Sequence, residues 1–353
     1  MATPEGGTLQ TPPSPAVAEL TGRADRPKRI VVRIHSAPPD HNAGGEWALF
    51  SMLRPLAARG HEVSVWLSRY GKARDPYTLD GIKVVPLASR LDFGTAIRHA
   101  DVVISQYENV PAAAALARGY GIPFVALAHN PAPIIFKNIA AGSCALVVYN
   151  SLHLQAEADV QFAEHPKWTR PAHSIVVRPP VFAEDYATTP GSAITLINLN
   201  REKGAELFWR LAERLPEHQF LGVQGAYGQQ ILRALPNVEV LDQVPGERMR
   251  DEVYARTRVL LMPSYVESWG RVAAEAMASG IPVVANPTPG LSEALADAGL
   301  FCEVTDIDAW TATIRALDDP AEWQQASTRA RQRSKELDPT EDLARWVEAI
   351  EAL

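Results

Sequence analysis

The chain has 353 residues, with 34 Lys or Arg against 41 Asp or Glu and a formal net charge of -7. This length exceeds what one ordinary hydrophobic core organises and predicts about two domains, while 46% hydrophobic content is that of a globular protein. The acidic balance excludes a general nucleic-acid or anionic-membrane binder, because both need a basic face; any phosphate site must be local.

Residues 1–28 are rich in Pro, Thr and Gly and lack the basic start and apolar middle of a signal peptide, so a disordered tail is expected. From Arg29 short β-branched runs alternate with helical periods. "RIVVRIHS" is followed by "EWALFSMLRPLAARG", whose Leu49, Leu53 and Leu56 form an apolar stripe closed at Gly60, with Pro55 expected to kink the helix. The runs "HEVSVWL", "IKVVPL", "DVVISQ", "FVALAH" and "ALVVYN" follow. Apolar runs such as "IPFVALA" fall far short of the roughly 18 residues of a transmembrane helix, so stable membrane insertion is not expected. Cys144 and Cys302 lie in strand-like runs, and a reducing cytoplasm is the expected location.

Residues 181–192 read as a linker, after which the rhythm restarts. "ITLINL" leads to the helix "GAELFWRLAERL", with Leu207, Phe208, Leu211 and Leu215 inward, and then to "QFLGVQ", "VEVLDQ", "RVLLMPS" and "IPVVAN". Near-continuous apolar strands with helices between them predict an α/β protein of two doubly wound, Rossmann-like domains, 29–180 and 193–339, facing each other across a cleft. Ligands in such sheets bind beyond the carboxyl ends of the strands, which raises the interest of residues that follow a strand.

One such stretch is "ESWGRVAAEAMASG", residues 267–280. Glu267 falls in the turn after the strand "RVLLMPS", and Glu275 lies in the helix closed by Gly280. Eight helical residues rise ~12 Å, whereas glycoside hydrolases hold their two carboxyls about 5–9.5 Å apart across one bond. The spacing therefore favours separate grips on an extended ligand. Between the two, Trp269, Gly270 and Arg271 open a helix whose free N–H groups suit an anion, and Gly270 permits close approach. The plainer alternative makes Glu267 a surface charge and Glu275 a paired helix residue.

"PSYVESWGRVAAEAMASGIPVVANPTPGLSEAL" resembles the E-x7-E region of family-4 retaining glycosyltransferases of the GT-B fold. "AGGEWALFSMLRPLAARGHEVSVW" resembles that family's Gly-rich first loop and helix, and "REKG" its Lys-Gly element. The resemblance implies that Glu267 contacts the donor sugar, Glu275 the ribose hydroxyls and Lys203 the diphosphate. It implies also that Gly44 and Gly45 let the phosphates approach and that His129 hydrogen-bonds the sugar. The family's Arg, five residues before the Lys, is replaced by Asn198; either Arg201 reaches over or Lys203 and backbone dipoles suffice. The C-terminal helix, 340–353, is expected to pack towards the first domain.

The implied reaction moves a sugar from a nucleotide diphosphate sugar, the co-substrate, to an acceptor with retention of configuration. No metal and no further cofactor are expected, since no His, Asp or Glu cluster shows ligand spacing; "DID" at Asp306 to Asp308 precedes a helix and suits a cap. The acceptor is expected to be a soluble small molecule or glycan. A nucleotide-sugar epimerase of the same fold and a non-catalytic nucleotide-sugar binder are the rival readings.

Overall fold

The computed structural model describes residues 23–69, 75–86 and 90–353. Most of the expected tail, residues 1–22, lies outside that set. Its last residues are packed: Ala24 is buried and donates its N–H to Arg59 O (3.0 Å), and Lys28 N donates to His61 Nδ1 (2.9 Å).

The chain divides into two compact units, one holding the residues up to His41, Gly45–Pro180 and Pro339–Leu353, the other Asn42–Gly44 and Val181–Asp338. The first is built on an eight-stranded sheet: β1 (Arg29–Ile34), β2 (Glu62–Leu67), β3 (Tyr77–Leu79), β4 (Ile82–Val85), β5 (Val102–Gln106), β6 (Phe124–Ala128), β7 (Leu146–Tyr149) and β8 (His173–Val176). Their spatial order is β3-β4-β2-β1-β5-β6-β7-β8, and all neighbours are parallel except the β3–β4 hairpin. Asp80 (φ 52°) and Gly81 (φ 78°) turn that hairpin, the Asp-Gly pair favoured where both turn residues need positive φ. The helix Gly44–Ala58 runs through Pro55 and buries Leu49, Leu53 and Leu56 completely.

The second unit carries a wholly parallel sheet of β9 (Ala193–Ile197), β10 (Phe220–Val223), β11 (Val238–Leu241), β12 (Thr257–Met262), β13 (Val283–Ala285) and β14 (Gly299–Phe301). Its order is β11-β10-β9-β12-β13-β14. Leu207, Phe208, Leu211 and Leu215 are all buried against it. The 181–192 stretch is more than a linker: it contains the short helix Ala183–Tyr186, and Val181 and Tyr186 join the core of the second unit.

In each sheet the chain builds outward from one central strand, in the first sheet ending that side with the β3–β4 hairpin, and then resumes on its other side. The partings fall between β1 and β5 and between β9 and β12. These are the topological switch points at which crossovers diverge and leave the carboxyl edge open.

The C-terminal helix Thr340–Ala352 returns to the first unit. Its Trp346 Nε1 donates to Met52 O (2.8 Å), and Glu351 accepts from Arg59 Nε (2.7 Å). Asp342, 1% exposed, accepts from both Arg178 N (3.0 Å) and Arg178 Nε (2.6 Å). No helix among the described residues is long and apolar enough to cross a membrane. Asp342→Ala removes three charge-assisted bonds, two from Arg178 and one from Arg345, and leaves the half-buried Arg178 guanidinium unpartnered. It should cost about 2–4 kcal/mol in urea unfolding, whereas Glu341→Ala, one residue away on the same helix, should cost under ~0.5 kcal/mol.

Candidate functional site

In the second unit Lys203 and Glu267 come from segments that follow the adjacent strands β9 and β12, at the switch point. The chain leaves β9 through Asn198, held at φ 71°, and turns over residues 201–204 into the helix Ala205–Arg214. Asn200 Oδ1 accepts from Lys203 N (2.8 Å) and fixes this turn. The Lys203 ammonium is ion-paired with Glu267, whose Oε1 also accepts from Ser264 Oγ (3.1 Å). Burial works against the Lys203 charge, but Glu267 and the Tyr227 hydroxyl lift the group above its ordinary value.

Beside this pair the helix Arg271–Ala278 begins. Its N-cap, Gly270, stands at φ 92° and offers no side chain to the first-turn N–H groups. A Cβ there would lie 2.6 Å from Leu291 Cδ2, so both backbone and packing require glycine. The next carboxylate has different company. Glu275 is buried; its Oε1 accepts from Arg271 Nε (2.7 Å) and its Oε2 from Tyr254 Oη (2.6 Å), while Arg271 also donates to Tyr186 Oη (3.0 Å). Burial, and then the Glu275 charge, push the Tyr254 hydroxyl well above its ordinary range. Glu267 and Glu275 thus have different partners, one held by Lys203 and Ser264, the other by Arg271 and Tyr254.

In the first unit a second cluster occupies the carboxyl ends of β1, β5 and β6. His35 follows β1, His41 and Glu46 follow in the connection and first turn of the helix Gly44–Ala58, and Tyr107 follows β5 at φ 52°. The Tyr107 ring lies between those of His35 (6.2 Å) and His129 (5.8 Å). A Cβ on Gly45 would approach Tyr107 Oη to 2.6 Å, which accounts for glycine at that position. Burial lowers His129 to about 4, so its imidazole is neutral at pH 7 and offers a hydrogen bond but no charge. Burial also raises Glu46 to about 7.

Residues 184–333 match the family described as Glycosyl transferases group 1. This segment is a group 1 glycosyltransferase domain. The O-antigen chain mannosyltransferase B of Escherichia coli is 36% identical over 92 residues, 26% of this chain and 24% of that protein. The glycogen synthase of Mycobacterium tuberculosis is 30% identical over 149 residues, 41% of this chain and 31% of the synthase. The D-inositol 3-phosphate glycosyltransferase of Mycobacteroides abscessus is 35% identical over 129 residues, 33% and 29% of the two chains. The chain thus spans about a quarter to a third of the length of these curated relatives. In fold it is similar to sucrose-phosphate synthase of Thermosynechococcus elongatus (TM-score 0.71, 17% identity, 92% of this chain and 98% of that one). It is similar also to Anabaena HepE solved with UDP-glucose (TM-score 0.75, 16% identity, 92% and 100%). The architecture is GT-B.

Within the glycosyltransferase domain the structure brings Lys203 and Glu267 together, with Gly270 at the helix start beside them. Arg201 stands exposed in the turn and makes no side-chain hydrogen bond or ion pair among the described residues, while Asn198 Oδ1 is engaged by Gln230 Nε2 (3.0 Å). Trp269 is buried in the apolar core, so that position offers a ligand backbone only, and the Arg271 guanidinium is turned inward to Glu275. Gly44 and Gly45 are the first residues of a helix, not a loop before one. Asp306 caps the helix Ile307–Ala316 by accepting from Ala309 N (3.0 Å). Sequence reasoning missed Ser264, which donates to Glu267 three residues on, and Tyr254 and Tyr186, whose partners lie 21 and 85 positions away. It also missed His35, His41 and Glu46, which correct the expectation that no candidate ligand set exists: their donor atoms lie within 4.8 Å of one another. Five residues of irregular chain between the two histidines hid that proximity.

Two outcomes follow from these environments. Arg271→Met should destabilise the glycosyltransferase domain by about 3–5 kcal/mol, because it leaves the Glu275 carboxylate buried and uncompensated. The Arg271→Met/Glu275→Met double variant should recover most of that loss in chemical unfolding. For His129 the folded value is depressed below the ordinary 6.5, so the stability present above pH 6.5 is lost as pH falls towards about 4. The loss is at most roughly 3 kcal/mol. His129→Asn should lack this component, so melting temperatures compared at pH 7.5 and pH 4.5 should differ less in the variant than in the parent.

Proposed function

We propose that the chain is a retaining glycosyltransferase that moves a sugar from a nucleotide diphosphate sugar to an acceptor hydroxyl, with no metal at the diphosphate. The observation that carries this reading is the convergence of Lys203 and Glu267 at the parting of β9 and β12, beside the uncapped helix start at Gly270.

The chemical difficulty is charge on the departing diphosphate. Lys203 and the first N–H groups after Gly270 supply preorganised positive potential, and one such contact is worth about 3–4 kcal/mol in a transition state. When phosphate arrives, Lys203 exchanges Glu267 for it, and the released carboxylate accepts hydrogen bonds from sugar hydroxyls. Glu275 takes the ribose; its oxygens already hold Arg271 and Tyr254, yet a carboxylate has about four acceptor sites and can add a hydroxyl without surrendering either. Neutral His129 hydrogen-bonds the sugar. The reaction proceeds on one face, the leaving phosphate taking the proton of the acceptor. That HepE was solved with UDP-glucose makes UDP the first nucleotide to try. The acceptor is a soluble small molecule or glycan, and the free, buried Cys144 and Cys302 suit work in the cytoplasm.

The two glutamates separate donor binding from transfer. Glu275→Ala should weaken UDP and intact donor alike, by roughly tenfold or more. Glu267→Ala should hold UDP affinity within about threefold while transfer falls at least ~100-fold, because its contacts are to the sugar where charge develops. Calorimetric affinities beside transfer rates, with melting curves to discount unfolding in the Glu275 variant, provide the check. The reverse pattern would exchange the two roles, and two normal variants would move the site elsewhere.

A further inference from the structure

The cluster after β1 has a geometry that ordinary polar packing does not explain. Glu46 is 2% exposed and sits between two imidazoles. Its Oε1 lies 3.6 Å from His35 Nε2 and its Oε2 lies 3.9 Å from His41 Nε2. Both separations exceed the 2.7–3.2 Å of a hydrogen bond. Glu46 Oε1 is buried without a hydrogen-bond partner, as is His35 Nδ1. A carboxylate this deep normally secures its partners at contact distance, since leaving an acceptor unpaired costs stability. Here three donor atoms converge within 4.8 Å and stop short of one another.

The two Glu46 contacts approach the spacing that an ion would impose. Tetrahedral zinc with bonds of about 2.0–2.1 Å holds neighbouring ligand atoms about 3.3–3.4 Å apart. The two Glu46 contacts, one at each carboxylate oxygen, need to contract by a few tenths of an ångström, and the whole set, spread over up to 4.8 Å, has to close around the ion as it binds. Two neutral imidazoles and one carboxylate form a set that suits zinc and its neighbours in the first transition row over magnesium or calcium, which take oxygen. A further feature fits: the remaining ring nitrogen of His35 faces Glu108 Oε1 at 4.0 Å, the position of the outer carboxylate that orients many metal-binding histidines.

We propose that His35, His41 and Glu46 bind one divalent zinc-class ion, with a fourth position open to water or a ligand oxygen. All three residues belong to the first unit, and none is assigned to the diphosphate. The ion would tie the end of β1 to the first turn of the helix Gly44–Ala58 at three points. It would thereby set the conformation of the connection that carries Gly44 and Gly45.

The test uses the full chain, dialysed against chelator and then titrated with zinc in a calorimeter, with cobalt as an optical probe. One ion per chain is expected. The cobalt form should show the intense visible absorption of a four-coordinate site, and zinc should raise the melting temperature as binding to the folded state requires. His35→Ala/His41→Ala should abolish stoichiometric binding. Glu46→Gln, which preserves shape and adds no charge to the core, should weaken it about 10- to 100-fold, the usual range for a lost ligand or orienting group. Circular dichroism should first establish that both variants are folded. Absence of stoichiometric zinc binding by the parent chain, or equal affinity in the Glu46→Gln variant, would overturn the proposal. Because the readouts are affinity, absorption and melting, they stand or fall independently of sugar transfer.

Discussion

A parallel sheet whose crossovers change direction must leave part of its carboxyl edge uncovered, because helices diverge there and no connection can close the gap. Both units are arranged around that constraint. In the second, the uncovered edge lies where β9 and β12 part, and the turns leaving those strands deliver Lys203 and Glu267 to one place. In the first, β1 and β5 part, and the turns deliver His35 and Tyr107. Chemistry collects at these positions because strand ends are rigid, while the segments beyond them need not complete a sheet.

The glycosyltransferase domain handles its charges in two ways. Lys203 and Glu267 form a partly exposed pair whose members can change partners. Arg271 and Glu275 lie one helical turn apart, nearly inaccessible, with two tyrosine hydroxyls completing their hydrogen bonds. A buried pair of this kind contributes little net stability over apolar residues of the same volume, but it punishes the loss of either member. Its effect is positional, since Tyr186, Tyr254 and the helix start are held to one another by bonds with defined directions.

Much of this was legible in the sequence. Strand after strand appeared as an uninterrupted β-branched run, because parallel strands covered on both faces are apolar throughout. β3, β8 and β14 escaped notice for the complementary reason: they are three or four residues long and lie at or near sheet edges, where half-exposed side chains break the pattern. Lys203, Glu267 and Gly270 were readable because each follows a strand or opens a helix. For Trp269 and Arg271 spacing gives the segment but not the rotation of the side chain, and both side chains point into the core while their backbone opens the helix. The segment 181–192 looked like a linker from its Pro, Thr and Gly content, yet Val181 and Tyr186 have apolar surface that only burial satisfies. Partners such as Tyr254 and Glu275 are joined by the fold alone, and no local period announces them.

The return of the last helix to the first unit bears on how the chain is made. Trp346 bonds to Met52 across 294 positions of sequence, and Asp342 meets Arg178 across 164. On a ribosome, the segment that seals the first unit therefore emerges after the whole second unit has been synthesised. Until then Met52 O and Arg178 lack these partners, and the nascent first unit waits in an incomplete state that a chaperone could engage. The second unit has no such dependence, since Val181–Asp338 is continuous and can close on itself as it emerges. The later-made unit is thus the one free to finish first.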